Sequence, residues 1–122
     1  MEASPQAIVA YEAALPDDTR VERKRMFGCP CAFVNRQMFF GTFGDTLVAR
    51  IGPERVAQLA GAEGLRVFTP MEDRAWRDYV QADATAAPEQ LRALAAESLA
   101  WAAKLPVKAP KPKRLSRKGA PG

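Results

Sequence analysis

Along this chain the spacing of apolar residues changes from helical to alternating and back. Ile8, Tyr11 and Leu15 share one face at helical spacing, behind Ser4 as N-cap and Pro5 at the first helical position. Pro16, Asp17 and Asp18 stop that pattern, which predicts a first helix over residues 5–15. Val21 to Arg25 alternates weakly and reads as the lead-in to a strand or as its exposed end. Gly28 then interrupts the apolar run, and Pro30 places this part of the strand at an edge or a bulge. Asn35-Arg36-Gln37 and Gly44-Asp45 separate further apolar runs and predict two hairpins. In the strand from Thr46 to Ile51, Leu47, Ala49 and Ile51 take one face, and Thr46, Val48 and Arg50 the other.

The strand Met38–Phe43 breaks this alternation. Met38, Phe40 and Thr42 point one way, and Phe39 and Phe43 the other, so both faces are apolar. The strand is therefore buried on both sides, or Phe39 and Phe43 meet a protein partner or a second copy of the chain.

Gly52-Pro53-Glu54 opens a short second helix with Val56, Leu59 and Ala60 inward, closed by Gly61 or Gly64. Leu65 to Thr69 predicts a strand, and Pro70 to Arg74 a turn. Ala75 to Val80 fits either period, but a short aromatic run between turns favours a strand. Leu91, Leu94, Ala95, Ser98, Ala102 and Leu105 form the stripe of a last, alanine-rich helix, flanked by Leu99 and Trp101. The order α-β-β-β-α-β-β-α predicts an α+β, two-layer domain, an antiparallel sheet with its helices mainly on one face.

Charge divides the chain. Residues 106–122 hold Lys108, Lys111, Lys113, Arg114, Arg117 and Lys118 with no acid, leaving twelve basic against fourteen acidic residues in 1–105. The basic pI of about 9.4 thus belongs to the end of the chain. Rich in Pro and poor in core formers, 106–122 is expected to be a disordered tail on a domain spanning 1–105. Its six cations could hold phosphates weakly and without sequence preference, but no aromatic is interleaved for base stacking. Expectations of no membrane and a cytoplasmic location follow from the lack of a long apolar run and of a basic leader.

The chain has no histidine, which removes Ser-His and Cys-His nucleophile pairs and imidazole metal ligands. Two cysteines cannot alone complete a tetrahedral zinc site. Cys29-Pro30-Cys31, if extended, sends both thiols to one side, as a half-site for a shared metal, a redox pair beside Lys24 and Arg25, or two small buried side chains. The acidic pairs Asp17-Asp18 and Glu72-Asp73 fall in turns, where Asp serves local hydrogen bonding. Arg25, Arg50 and Arg55 could line an anion site or end solvated elements. No cofactor and no enzymatic activity are expected.

Arg25-Met26-Phe27-Gly28, the apolar strand Met38–Phe43, Asp45, the strand Leu47–Ile51, Arg55, Phe68-Thr69-Pro70 and the Trp76–Val80 segment recur in this order in one family. Over about residues 6–105 the chain resembles the TfoX N-terminal domain family, that of the competence regulators also called Sxy. The resemblance implies a two-layer fold like that of secretion chaperones. For the founding members it implies a link to transcriptional regulation of DNA uptake, and it supplies no catalytic residues. Cys29-Pro30-Cys31 departs from the small residues expected after the Met-Phe-Gly step. The longer regulators carry a second helical domain where a basic tail follows here. The expected function is a non-enzymatic, protein-binding regulatory module. A nucleic-acid-associated protein acting through the tail is the alternative, and a Cys-pair metal or redox protein a third.

Overall fold

The computed structural model describes residues 2–26, 28–61, 64–71 and 74–105. The 106–122 tail, with its six cations, lies outside them, as do Glu72 and Asp73. The described chain runs α1 (Pro5–Ala14), β1 (Glu22–Met26), β2 (Cys29–Val34), β3 (Gln37–Phe43), β4 (Thr46–Arg50), α2 (Pro53–Leu59), β5 (Leu65–Met71), β6 (Arg74–Asp83) and α3 (Pro88–Ala103). The α+β layout is the expected one. The first expected strand divides at Gly28, whose φ of +76° turns the chain and makes Glu22–Met26 a strand of its own.

All six strands form one antiparallel sheet, ordered β1-β2-β3-β4-β6-β5. All three helices feed a single core on one face, through Ala7, Tyr11 and Ala14 of α1, Val56 of α2, and Leu91, Leu94, Ala95, Leu99 and Ala102 of α3. Ser4 caps α1 as expected, its hydroxyl accepting from the Ala7 amide at 3.1 Å. The buried face of α1 centres on Ala7 rather than Ile8, which is only half-buried. Alanine there lets α1 lie close to the sheet, with Tyr11 stacked on Phe40 at 5.7 Å.

Two irregularities set the shape. Between the pairs Ala32↔Phe40 and Phe33↔Met38, β3 carries one extra residue, Phe39. This bulge turns Phe39 and Phe40 to the same, helix-covered face, and both are fully buried there. In the β5–β6 hairpin, Arg77, Asp78 and Tyr79 fall between the pairs Val67↔Val80 and Phe68↔Trp76 and have no partner on β5. The Asp78 carbonyl accepts instead from the Ile51 and Gly52 amides at 2.9 and 3.1 Å. Beyond this break the end of the hairpin swings across the second face of the sheet. Phe68 reaches Phe43 at 5.1 Å, although β6 and β4 lie between their strands and a flat sheet would set them roughly 14 Å apart.

Pro30 is not at an edge. β2 lies between β1 and β3, and Pro30 stands one residue before the first β2–β3 pair, Cys31↔Gly41. Its carbonyl accepts from the Thr42 hydroxyl at 3.0 Å, which fills the place a ladder bond would take.

Candidate functional site

The second face of the sheet is where the candidate residues meet. Register places Lys24, Cys29, Cys31, Phe33, Gly41, Phe43, Thr46, Val48, Arg50 and Tyr79 on it. Its lower layer is small or tightly filled. Cys29, Cys31 and Val48 are buried, and Gly41 lies opposite Cys31 so closely that a Cβ there would stand 3.0 Å from the Cys31 Cβ. The hairpin end forms the upper layer. Phe68 is buried between Phe43, Trp76 and Tyr79, with edge-on ring distances of 5.1, 5.2 and 6.4 Å. The surplus apolar face of Met38–Phe43 is thus covered from within the chain. Phe39 is enclosed among the helices, and Phe43 is half-buried under Phe68, so neither offers a broad open surface.

Trp76 is the aromatic that remains open. It is 44% exposed, yet held by Phe68 at 5.2 Å and Tyr79 at 5.4 Å, with exposed Arg77 beside it. The sequence reading assigned no role to this residue. The signal was a tryptophan between two arginines, Arg74-Ala75-Trp76-Arg77, close to a hairpin turn. Among the described residues the other exposed large apolar side chain is Val9, on the rim of a shallow groove of about 490 Å³ between α1 and the start of α3.

Cys29 and Cys31 project to the same side of β2 as expected, where both are buried, and they form no disulfide. The Cys31 thiol lies 3.6 Å from the Cys29 carbonyl. Among the described residues no group of three or more His, Cys, Asp or Glu gathers where it could hold a metal ion.

Of the arginines considered for an anion site, Arg50 and Arg55 are engaged within the chain. Arg50 donates to Gln37 Oε1 at 2.9 Å and to Asp78 Oδ2 at 3.2 Å, and its guanidinium lies 5.3 Å from Trp101 and 5.9 Å from Tyr79. Trp101 in turn closes against Gly52, where a Cβ would come within 2.7 Å of the indole. Tyr79 donates its hydroxyl to the Met38 carbonyl at 2.9 Å, and burial pushes its pKa up against the pull of Arg50. This knot fastens the start of β3, the end of β4, the middle of β6 and the end of α3 together. Arg55 donates to Glu97 at 2.7 Å and Gln58 at 3.2 Å, tying α2 to α3. Arg25 is exposed on β1 with no ion pair among the described residues.

The acidic turn does local work. Asp18 accepts from the Arg20 amide at 2.8 Å and from its side chain at 2.9 and 3.0 Å, and the Arg20 hydrogen bonds hold its carboxyl down to about 2. Tyr11 is the one buried side chain, among those described, whose polar atom has no hydrogen-bond partner. Burial pushes its phenol up to about 12, only partly offset by nearby Arg23, which is itself bonded to Glu12.

No helix among the described residues is long and apolar enough to cross a membrane. Neither a curated protein nor a solved structure matches the chain. The model of the TfoX N-terminal domain matches residues 14–102, from the end of α1 to the last turn of α3. That span takes in the whole sheet with its bulge, its bent hairpin and the Arg50 knot, and the chain belongs to the TfoX N-terminal domain family.

Proposed function

We propose that this domain is a non-enzymatic regulatory module that holds a protein partner on the Trp76 end of its β5–β6 hairpin. The observation that carries this reading is the state of Trp76, exposed on its outer side and fixed in place by Phe68 and Tyr79. Tryptophan and arginine are the residues most often found at the energetic centre of protein interfaces. A ring already held in one position loses little further freedom on binding. Membership of the TfoX N-terminal domain family supports a regulatory role, and a link to transcriptional regulation in the cytoplasm is part of the proposal.

The test is capture of partners from nuclease-treated cell extract on the full chain and on Trp76→Ala. The reading expects a protein retained in stoichiometric amount by the first and lost with the second. Equal retention by both removes Trp76 from the function.

A second reading rests on the charge of the tail. Six cations without an acid in 106–122 favour weak, salt-sensitive association with nucleic acid. Binding of single- and double-stranded DNA at low salt, compared between the full chain and residues 1–105, decides it. Equal binding by the two ends the tail reading.

A further inference from the structure

The two outer strands of the sheet are unlike. β5 carries Pro70 and two breaks in its register, and its far end curls over the sheet. A strand built this way is a poor template for another chain. β1 has neither device. Its five residues pair one-to-one with β2 without a shift, from Glu22↔Phe33 to Met26↔Cys29, and among the described residues it has no partner on its other side. Glu22, Arg23, Lys24 and Arg25 are all exposed. Its outer row of N–H and C=O groups is therefore straight and accessible, and its protection is charge alone.

That charge selects among occupants. An antiparallel second copy centred on Lys24 would set Arg23 against Arg25 twice and Lys24 against itself, which like-charge repulsion disfavours. The chain's own end is excluded on the same ground, since 106–122 carries six cations and no acid. Arg23 is already bonded to Glu12 across the helix face. Lys24, 5.0 Å over the Phe33 ring on the second face, and Arg25 on the helix face have no ion pair among the described residues. An added strand would therefore meet one uncompensated cation on each face. A phosphate backbone would satisfy these charges, but it offers acceptors only and leaves the strand's outward carbonyls unpaired. An extended peptide offers both donors and acceptors.

We propose that β1 is a docking edge for an extended acidic segment of a partner protein, which adds to the sheet as a seventh strand with carboxylates beside Lys24 and Arg25. This surface is separate from Trp76 and stands whether or not Trp76 anchors a partner.

The experiment selects peptides of roughly eight residues, the ordinary length of a paired strand, from a random displayed library on the full chain. The strongest synthetic binder is then used for backbone amide exchange. Expected are sequences with Asp or Glu at two neighbouring positions, one for each face, among β-branched residues, and new protection confined to amides of residues 22–26. Expected too is a loss of roughly tenfold in affinity on the double change Lys24→Gln and Arg25→Gln, with the unfolding midpoint unchanged. Selection without acidic enrichment, or protection falling on the hairpin instead of β1, overturns the proposal. So does displacement of the peptide by oligothymidylate at equal charge, which would mark a phosphate-reading edge.

Discussion

The two faces of this sheet are covered by different means. On one side, three helices lay alanine and leucine onto Ala32, Phe39, Phe40, Leu47 and Ala49, and the core is continuous from α1 to α3. On the other, a single bent hairpin lays Phe68 over Phe43 and Tyr79, on a face where Cys29, Cys31 and Val48 are also buried. Helices arrive with their backbone bonds already satisfied and can cover a wide area. A hairpin end covers less, and it had to leave its ladder at Arg77–Tyr79 to do so. The helix face is thus the seat of stability, and the hairpin face is the one with a half-open aromatic and a local way to move.

The largest expected effect tests the first half of that contrast. Phe40→Ala should lower stability by about 3–5 kcal/mol in urea unfolding, since a fully buried ring stacked on Tyr11 leaves a cavity that α1 cannot close. Gly52→Ala is expected to cost about 2–4 kcal/mol, because the residue has φ +92° and its new methyl would strike the Trp101 ring. Thermal unfolding would show this loss, with the Arg50 knot loosened at the end of α3.

Phe68→Ala should cost about 2–3 kcal/mol, less than Phe40→Ala, because the hairpin end can settle into the space. Hydrogen exchange in this variant should rise in residues 65–83 and stay unchanged in α3. A rise spread evenly over the molecule would show the two faces to be one cooperative unit and break the contrast. Trp76→Ala should change stability by less than about 1 kcal/mol, its effect falling on partner retention instead.

The smallest change in neutral solution is Tyr11→Phe, which removes an orphaned hydroxyl and should leave stability within about 1 kcal/mol, on the stabilising side. Its value lies at high pH. Folding raises the Tyr11 pKa from 10.0 to about 12, so the folded state resists losing that proton. The contribution is complete below the unfolded value and lost as pH rises through the folded one. Urea midpoints should fall more steeply above about pH 10 in the native chain than in Tyr11→Phe.

Much of the helix-covered face was legible in the sequence. Ser4-Pro5 marks the start of α1 and Gly52-Pro53 that of α2, while Leu47-Ala49-Ile51 and the stripe of α3 declare their faces by spacing alone. Asn35 and Arg36 take φ of 51° and 64°, which gives the hairpin its tight left-handed turn where a polar break was expected. Strict alternation failed at Phe39. The bulge adds one residue, so two neighbouring phenylalanines share a side and the pattern looks two-faced. The candidate surface was harder to read. Which strand folds back over which depends on the loss of register at Arg77–Tyr79, and nothing local in Arg-Asp-Tyr announces it. With the covering strand unknown, Phe43 could be read as buried or as meeting a partner, and nothing in the Ala75–Val80 run marked Trp76 as the side chain that stays open.

The Arg50 knot and the hairpin end each hold one of the chain's two tryptophans. Trp101 lies against a guanidinium and a glycine, and Trp76 half in water against two rings. The protein therefore carries two optical reporters in contrasting surroundings. Trp101→Phe would leave an emission that follows the hairpin, red-shifted and open to quenching by iodide. Trp76→Phe would leave one that follows the closure of α3 onto the sheet. Events at the hairpin end and loss of the whole fold could then be followed separately in one sample, with no label attached.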